Sequence, residues 1–198
     1  AGGISDKDLE RAFWIGERPD DTSGAHEYGV GMKMASFHFS DCWSVRTSAL
    51  GEPIEKYIEL DVNKIENTSS TIIDVQRQSK GADAHYTEIC LESFYASNWP
   101  RGKTVNKIKK FLSSMYRKYI DDGKLILIFD DNGQQETLSG CFPEILNMNF
   151  VKDDIKNIKE WKQEISFQHK NKVITGWVGL LAKPSGIDAG FDLIRRNK

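Results

Sequence analysis

The sequence has little of what announces a compartment or a chemistry. Its three cysteines, Cys42, Cys90 and Cys141, stand far apart and in no CxxC pair. They read as free thiols in a reducing compartment, with neither a disulfide framework nor a zinc site behind them. No apolar run approaches the roughly 18 residues of a membrane helix, and no basic start with an apolar middle marks a signal peptide. The expectation is a cytoplasmic protein with no membrane contact. A net charge of -2 removes any overall basic character, so contact with nucleic acid would need a local patch. The four histidines, His26, His38, His85 and His169, have no spacing that suggests metal ligands or a catalytic dyad. Internal repeats and low-complexity tracts are also missing.

What is present belongs to an ordinary folded protein: 39% hydrophobic and 28% charged residues, with ten Phe, and with five Trp that are scattered singly and read as core or interface residues. A length of 198 residues allows one large domain or two small ones. "ISDKDLERAFWIG" carries a complete helix start, with Ser5 as N-cap, Asp8 answering it and Ile4 and Leu9 as a staple, and the helix is expected to end near Gly16. Residues 17–28 are polar and read as a mobile loop. A short helix follows through about Ser40. "WSVRTSA", "EKYIELDV", "STIIDVQRQ" and "HYTEICLESF" then have the composition of antiparallel strands.

The pattern changes at "YASNWPRGKTV", which sets the expected boundary between residues 1–96 and 97–198. Thr104 to Ile120 reads as one amphipathic helix, with Val105, Ile108, Phe111, Leu112, Met115 and Tyr119 on one face and Lys103, Lys107, Lys110, Arg117 and Lys118 on the other. "KLILIFDDNGQQETL" holds a hairpin signal at Asn132-Gly133. A helix-like stretch from Lys152 to Asn157 leads to two strands hinged at His169 to Asn171, and "AGFDLIRRNK" reads as the start of another strand.

Function is signalled most clearly by "EYGVGMKMASFHF". A helix N-terminus leaves backbone N–H groups unpaired and carries partial positive charge, so phosphate binds there. Gly29 and Gly31 let the backbone approach a ligand closely, and Lys33 adds a mobile positive charge. Taken in order, "AGGI" before a capped helix, a polar lid, "HEYGVGMKMASFHFSDCWSVRTS" and "HYTEICLESF" resemble the nucleotide-binding domain of the GHKL or Bergerat-fold ATPases. Within that superfamily the leaning is to MORC-like and heat-shock-chaperone versions.

The resemblance implies an α+β fold: a partial Bergerat-type α/β sandwich with a mixed, mostly antiparallel sheet, then a transducer like domain 2 of ribosomal protein S5, incomplete at its C-terminus. It implies ATP and magnesium (Mg2+) as cofactors in the complete site. Gly3 matches the last glycine of the first glycine box, and Ile4 would touch adenine. Thr22 and Ser23 lie in the lid. Glu27, Tyr28, Gly29, Val30, Gly31 and Met32 match the segment that wraps the phosphates, beside Lys33. Thr87 matches the threonine that backs the adenine-binding aspartate, and Lys183 is a candidate phosphate-sensing lysine. That aspartate, the helix before it and the helix's glutamate base and magnesium-binding asparagine have no counterparts in the sequence, so a fragment of a longer protein is expected. The parent would hydrolyse ATP and close as a homodimer or on a partner, and this chain alone would be inactive. The alternative reading is a non-catalytic interaction scaffold or nucleic-acid clamp, whose DNA contact would be the basic face of the 104–120 helix.

Overall fold

The computed structural model describes residues 2–14, 16–17, 28–68, 72–95, 100–147, 160–186 and 188–194. They belong to two compact units, Ala1–Thr104 and Val105–Lys198.

In the first unit, α1 (Asp6–Phe13) and α2 (Gly31–Phe39) precede β1 (Ser40–Ser48), β2 (Ile54–Asp61), α3 (Val62–Thr68), β3 (Val75–Ser79) and β4 (Tyr86–Phe94). The strands form one antiparallel sheet in the order β3-β2-β1-β4. Alternation along the strands divides the sheet into two faces. Val45 stands opposite Ile58 and Ile89, and Trp43 opposite Leu60 and Leu91, which builds the apolar face. Leu9 of α1 joins Trp43, Val45, Ile58 and Leu60 in the core, with Ile4, Phe13, Met32 and Phe37 packed around them. Phe13 stacks on Trp43 at 6.2 Å between centroids and Phe37 meets it edge-on at 5.4 Å.

Helix α1 starts where its sequence directs. The Asp8 N–H donates to Ser5 Oγ at 3.2 Å, and the Ser5 hydroxyl donates to the Asp8 carboxylate at 2.7 Å. The Asp8 carboxyl is held below its ordinary range by hydrogen bonds from Arg11 and Ser5. Replacing an N-cap serine by alanine costs about 1 kcal/mol, so Ser5→Ala is expected to lower the urea midpoint with an unchanged slope. Helix α3 was not foreseen. Asp61 Oδ1 accepts from the N–H groups of Asn63 and Lys64, so the last residue of β2 serves as its N-cap.

The second unit holds most of α4 (Lys103–Met115), then α5 (Arg117–Asp121) and two hairpins: β5 (Leu127–Asp131) with β6 (Gln134–Leu138), and β7 (Lys162–His169) with β8 (Lys172–Gly179). The amphipathic segment expected as one helix is divided at Tyr116, whose backbone (φ -101°, ψ 9°) leaves the helical region. Asn132 and Gly133 have φ of 52° and 84°, and Lys170 and Asn171 have 44° and 61°. Two successive positive φ values are what a two-residue hairpin turn of the favoured twist demands. Residues 188–194 form no strand, and Phe191 lies fully exposed where a strand start was expected. The Lys152–Asn157 stretch falls outside the described residues. The chain is therefore α+β, and the strand pairings described are antiparallel.

Candidate functional site

Ile4 and Thr87, far apart in sequence, meet at one buried hydroxyl. The Ile4 N–H donates to Thr47 Oγ1 at 2.8 Å, and Thr47 Oγ1 lies 2.9 Å from Thr87 Oγ1. Thr47 donates its own proton to the Tyr86 carbonyl at 2.9 Å. With that proton committed, Thr87 is the donor of the pair, and its oxygen keeps lone pairs free to accept. Thr47 is fully buried and every polar valence of its hydroxyl is used.

Gly3 enters this corner with φ 75°, and a Cβ there would collide with the Ser48 carbonyl. The Ile4 side chain itself packs against the core. Its carbonyl accepts from the Lys56 ammonium at 3.0 Å. Neither Thr47 nor Lys56 was singled out in the sequence. The available signal was a polar residue at a core-facing position of a strand, in line with Val45 on β1 and with Ile58 on β2.

The Gly-Val-Gly step opens α2. Gly29 adopts φ 64°, and a Cβ on it would run into the Glu17 carbonyl, so this glycine is required by its backbone and its neighbour. Val30 is the cap residue and its apolar side chain supplies no acceptor, so α2 has no side-chain cap. The first helical bond runs from the Met34 N–H to the Val30 carbonyl at 2.9 Å. Gly31, the first helical residue, has no atom within 4 Å of where a Cβ would stand. Among the described residues no side chain caps the mouth of α2, and its first N–H groups lie beyond the reach of intrahelical acceptors. Tyr28 beside it is more than half exposed, and the Met32 side chain turns inward to the core.

Lys33 does not project into solvent. It is 5% exposed, and its ammonium donates to the Ala12 carbonyl at 2.7 Å, at the end of α1. That carbonyl is one of the last in its helix and sits at the negative end of the helix dipole, which accounts for a cation being drawn there. Burial pushes the Lys33 pKa down, and the nearby Arg11 adds to the effect. A lysine whose folded pKa lies below its unfolded 10.5 disfavours the folded state at neutral pH and is relieved as pH rises between the two values. Stability of the wild-type chain is expected to rise over that window relative to Lys33→Met, as read by urea unfolding at pH 7 and pH 10.

The remaining candidates lie elsewhere. Thr22, Ser23 and Glu27 fall outside the described residues. Lys183 is exposed, just past the Ile145–Leu181 bridge of the second unit. Of the basic stripe, Lys110 pairs with Asp188 at 3.4 Å, and Arg117 pairs with Asp192 and donates to Ser114 Oγ at 3.2 Å. Lys103, Lys107 and Lys118 are exposed. Acids of the same unit thus offset part of the positive potential that a phosphate backbone would meet. Cys42, Cys90 and Cys141 are free thiols, and burial together with Asp61, Glu59 and Glu92 pushes the Cys42 thiol up, away from thiolate chemistry. Among the described residues no group of three or more His, Cys, Asp or Glu could hold a metal ion, and no helix is long and apolar enough to cross a membrane. Searches against protein-family models and against curated proteins gave no match to this chain.

Proposed function

We propose that this chain is the core of an ATP-binding conformational module of the Bergerat type. The observation that carries the reading is the mouth of α2: a helix start with no side-chain cap among the described residues, entered through a strained glycine and led by a second glycine whose Cβ position meets no neighbouring element within 4 Å among them. Main-chain amides of Gly31, Met32 and Lys33 would hold the phosphates, because oriented N–H groups and the helix dipole both favour an anion there. The Thr47–Thr87 hydroxyl pair and the backbone of Gly3 and Ile4 would form the wall at the adenine end, with Thr87 oxygen as the acceptor it still has available.

Magnesium, when bound with the nucleotide, would offset phosphate charge and fix its geometry. The glutamate and asparagine that serve it in the resembling family have no counterparts among these residues, so the proposed contribution of this chain is binding and orientation. Hydrolysis, relay through the second unit as a transducer, and closure of two protomers belong to the parent protein in this reading.

Calorimetric titration of the chain with a non-hydrolysable magnesium–ATP analogue tests the reading. Thr87→Val is expected to weaken binding by about tenfold, the equivalent of one hydrogen bond, while costing no more than about 1 kcal/mol of stability. No heat of binding at millimolar nucleotide would refute it.

A further inference from the structure

Lys56 carries its ammonium group into the interior. It lies on the core-facing side of β2, opposite Thr47 and in line with Ile58, and is 0% exposed. Its ammonium donates to the Ile4 carbonyl at 3.0 Å, pairs with the Glu52 carboxylate, and stands 3.9 Å from Asp6 Oδ1. Glu52 in turn accepts the Asp6 N–H at 3.0 and 3.3 Å, and so covers the first amide of α1. Asp6 also takes Arg77 of β3 at 3.1 Å. With Thr47 on the Ile4 N–H, side chains of β1 and β2 grip both main-chain groups of Ile4, and Glu52 grips the amide two residues on.

Stability alone is a poor account of this arrangement. Only the Lys56 end of the pair is taken out of water, the Glu52 side chain being 30% exposed, and replacing a buried charge by a well-packed apolar side chain is often neutral or stabilising. What a half-buried pair of this kind does supply is one fixed geometry for the chain it holds. An apolar residue at position 56 could fill the space, but it could not orient the Ile4 carbonyl.

The geometry points to Lys56, acting with Glu52, as a positioning residue that presets the Gly2–Ile4 wall against the base and ribose end of a bound adenine nucleotide. The assignment rests on the nucleotide reading and sharpens it: the latch acts on the adenosine end and leaves the phosphate end at α2 alone. The two ends can therefore be separated with two probes, a non-hydrolysable magnesium–ATP analogue and inorganic tripolyphosphate.

The test compares the wild-type chain with Lys56→Met by calorimetry and by amide hydrogen exchange. Lys56→Met is expected to bind the ATP analogue about tenfold more weakly, a loss of one net hydrogen bond's worth of orientation, and tripolyphosphate as well as wild type does. Exchange of the Ile4 and Asp6 amides is expected to quicken by about tenfold or more, while Val45 and Ile58 of the core stay protected. Glu52→Gln keeps the shape and an acceptor for Asp6, and is expected to move the same readouts in the same direction by less. Should Lys56→Met fail to fold, the Glu52→Gln result decides. Unchanged exchange at Ile4 and Asp6, or equal weakening of both probes, would overturn the positioning role while leaving nucleotide binding intact. Wild-type chain that binds neither probe would overturn the nucleotide reading, and this assignment with it.

Discussion

Trp43→Ala is expected to cost about 3–5 kcal/mol, enough to leave the first unit marginal or unfolded at room temperature. The indole is 0% exposed at the centre of the sheet's apolar face, with Phe13 of α1 stacked on it and Phe37 of α2 set edge-on. Truncation to alanine would therefore open a cavity that touches both helices, and neither could close it without leaving its other contacts. Trp43→Phe is the control. Its ring preserves most of the packing and removes the indole N–H, the buried side-chain polar atom that has no partner among the described residues. Because an unpaired buried donor is itself unfavourable, the phenylalanine variant is expected to lose less than about 2 kcal/mol. Urea unfolding followed by near-ultraviolet circular dichroism separates the two. A cost below about 1 kcal/mol for alanine would contradict the placement of Trp43 as the joint between α1, α2 and the sheet.

Gly31→Ala and Gly29→Ala, only two residues apart, are expected to behave in opposite ways. A Cβ at Gly31 meets nothing within 4 Å and the residue is helical, so alanine there leaves stability unchanged or slightly raised. In the proposed site the added methyl group would stand in the approach to the α2 amides, and nucleotide affinity is then expected to fall by at least about tenfold. Gly29→Ala demands φ near 64° from a residue with a Cβ and drives that Cβ into the Glu17 carbonyl. Strain of that kind costs about 1–3 kcal/mol before the clash is counted, so this variant is expected to lose stability first. Calorimetric affinity and the urea midpoint, measured on both variants, make the comparison. Affinity retained in Gly31→Ala would contradict the proposed phosphate site at α2.

Much of the first unit could be read from local chemistry. Ser5 and Asp8 form the reciprocal cap that their spacing promised, and the expected strand runs match β1, β2 and β4, with the third realised only from Val75 onward since Ile72 to Asp74 form no strand. Asn132-Gly133 closes its hairpin as a two-residue turn. These features depend on neighbours within a few residues, and the sequence displays such neighbours. Asp61 was passed over as a cap because it also finishes a strand, so its second role became visible only once the backbone turned at Val62. Tyr116 divides the long amphipathic segment although its apolar spacing runs through unbroken, since periodicity records a face and not the backbone angle at one residue.

In the candidate site, legibility stops at long-range contacts. The glycines were visible as a pair at a helix start, a pattern that a plain turn also explains, as φ 64° and the Glu17 carbonyl do for Gly29. The direction of Lys33 was not visible, because whether its ammonium meets solvent or Ala12 depends on where α1 ends in space. Thr47 and Lys56 disturb otherwise apolar positions, and a single polar residue in a strand does not reveal that its partner is Ile4, more than forty residues earlier.

The central claim is that the first amides of α2 receive phosphate. Amide chemical-shift mapping of the isotopically labelled chain during titration with a non-hydrolysable magnesium–ATP analogue addresses it directly. The account predicts saturable shifts at Gly31, Met32 and Lys33, with a second group at Ile4 and Thr87. Shifts confined to other residues, or none at saturating nucleotide, would contradict it.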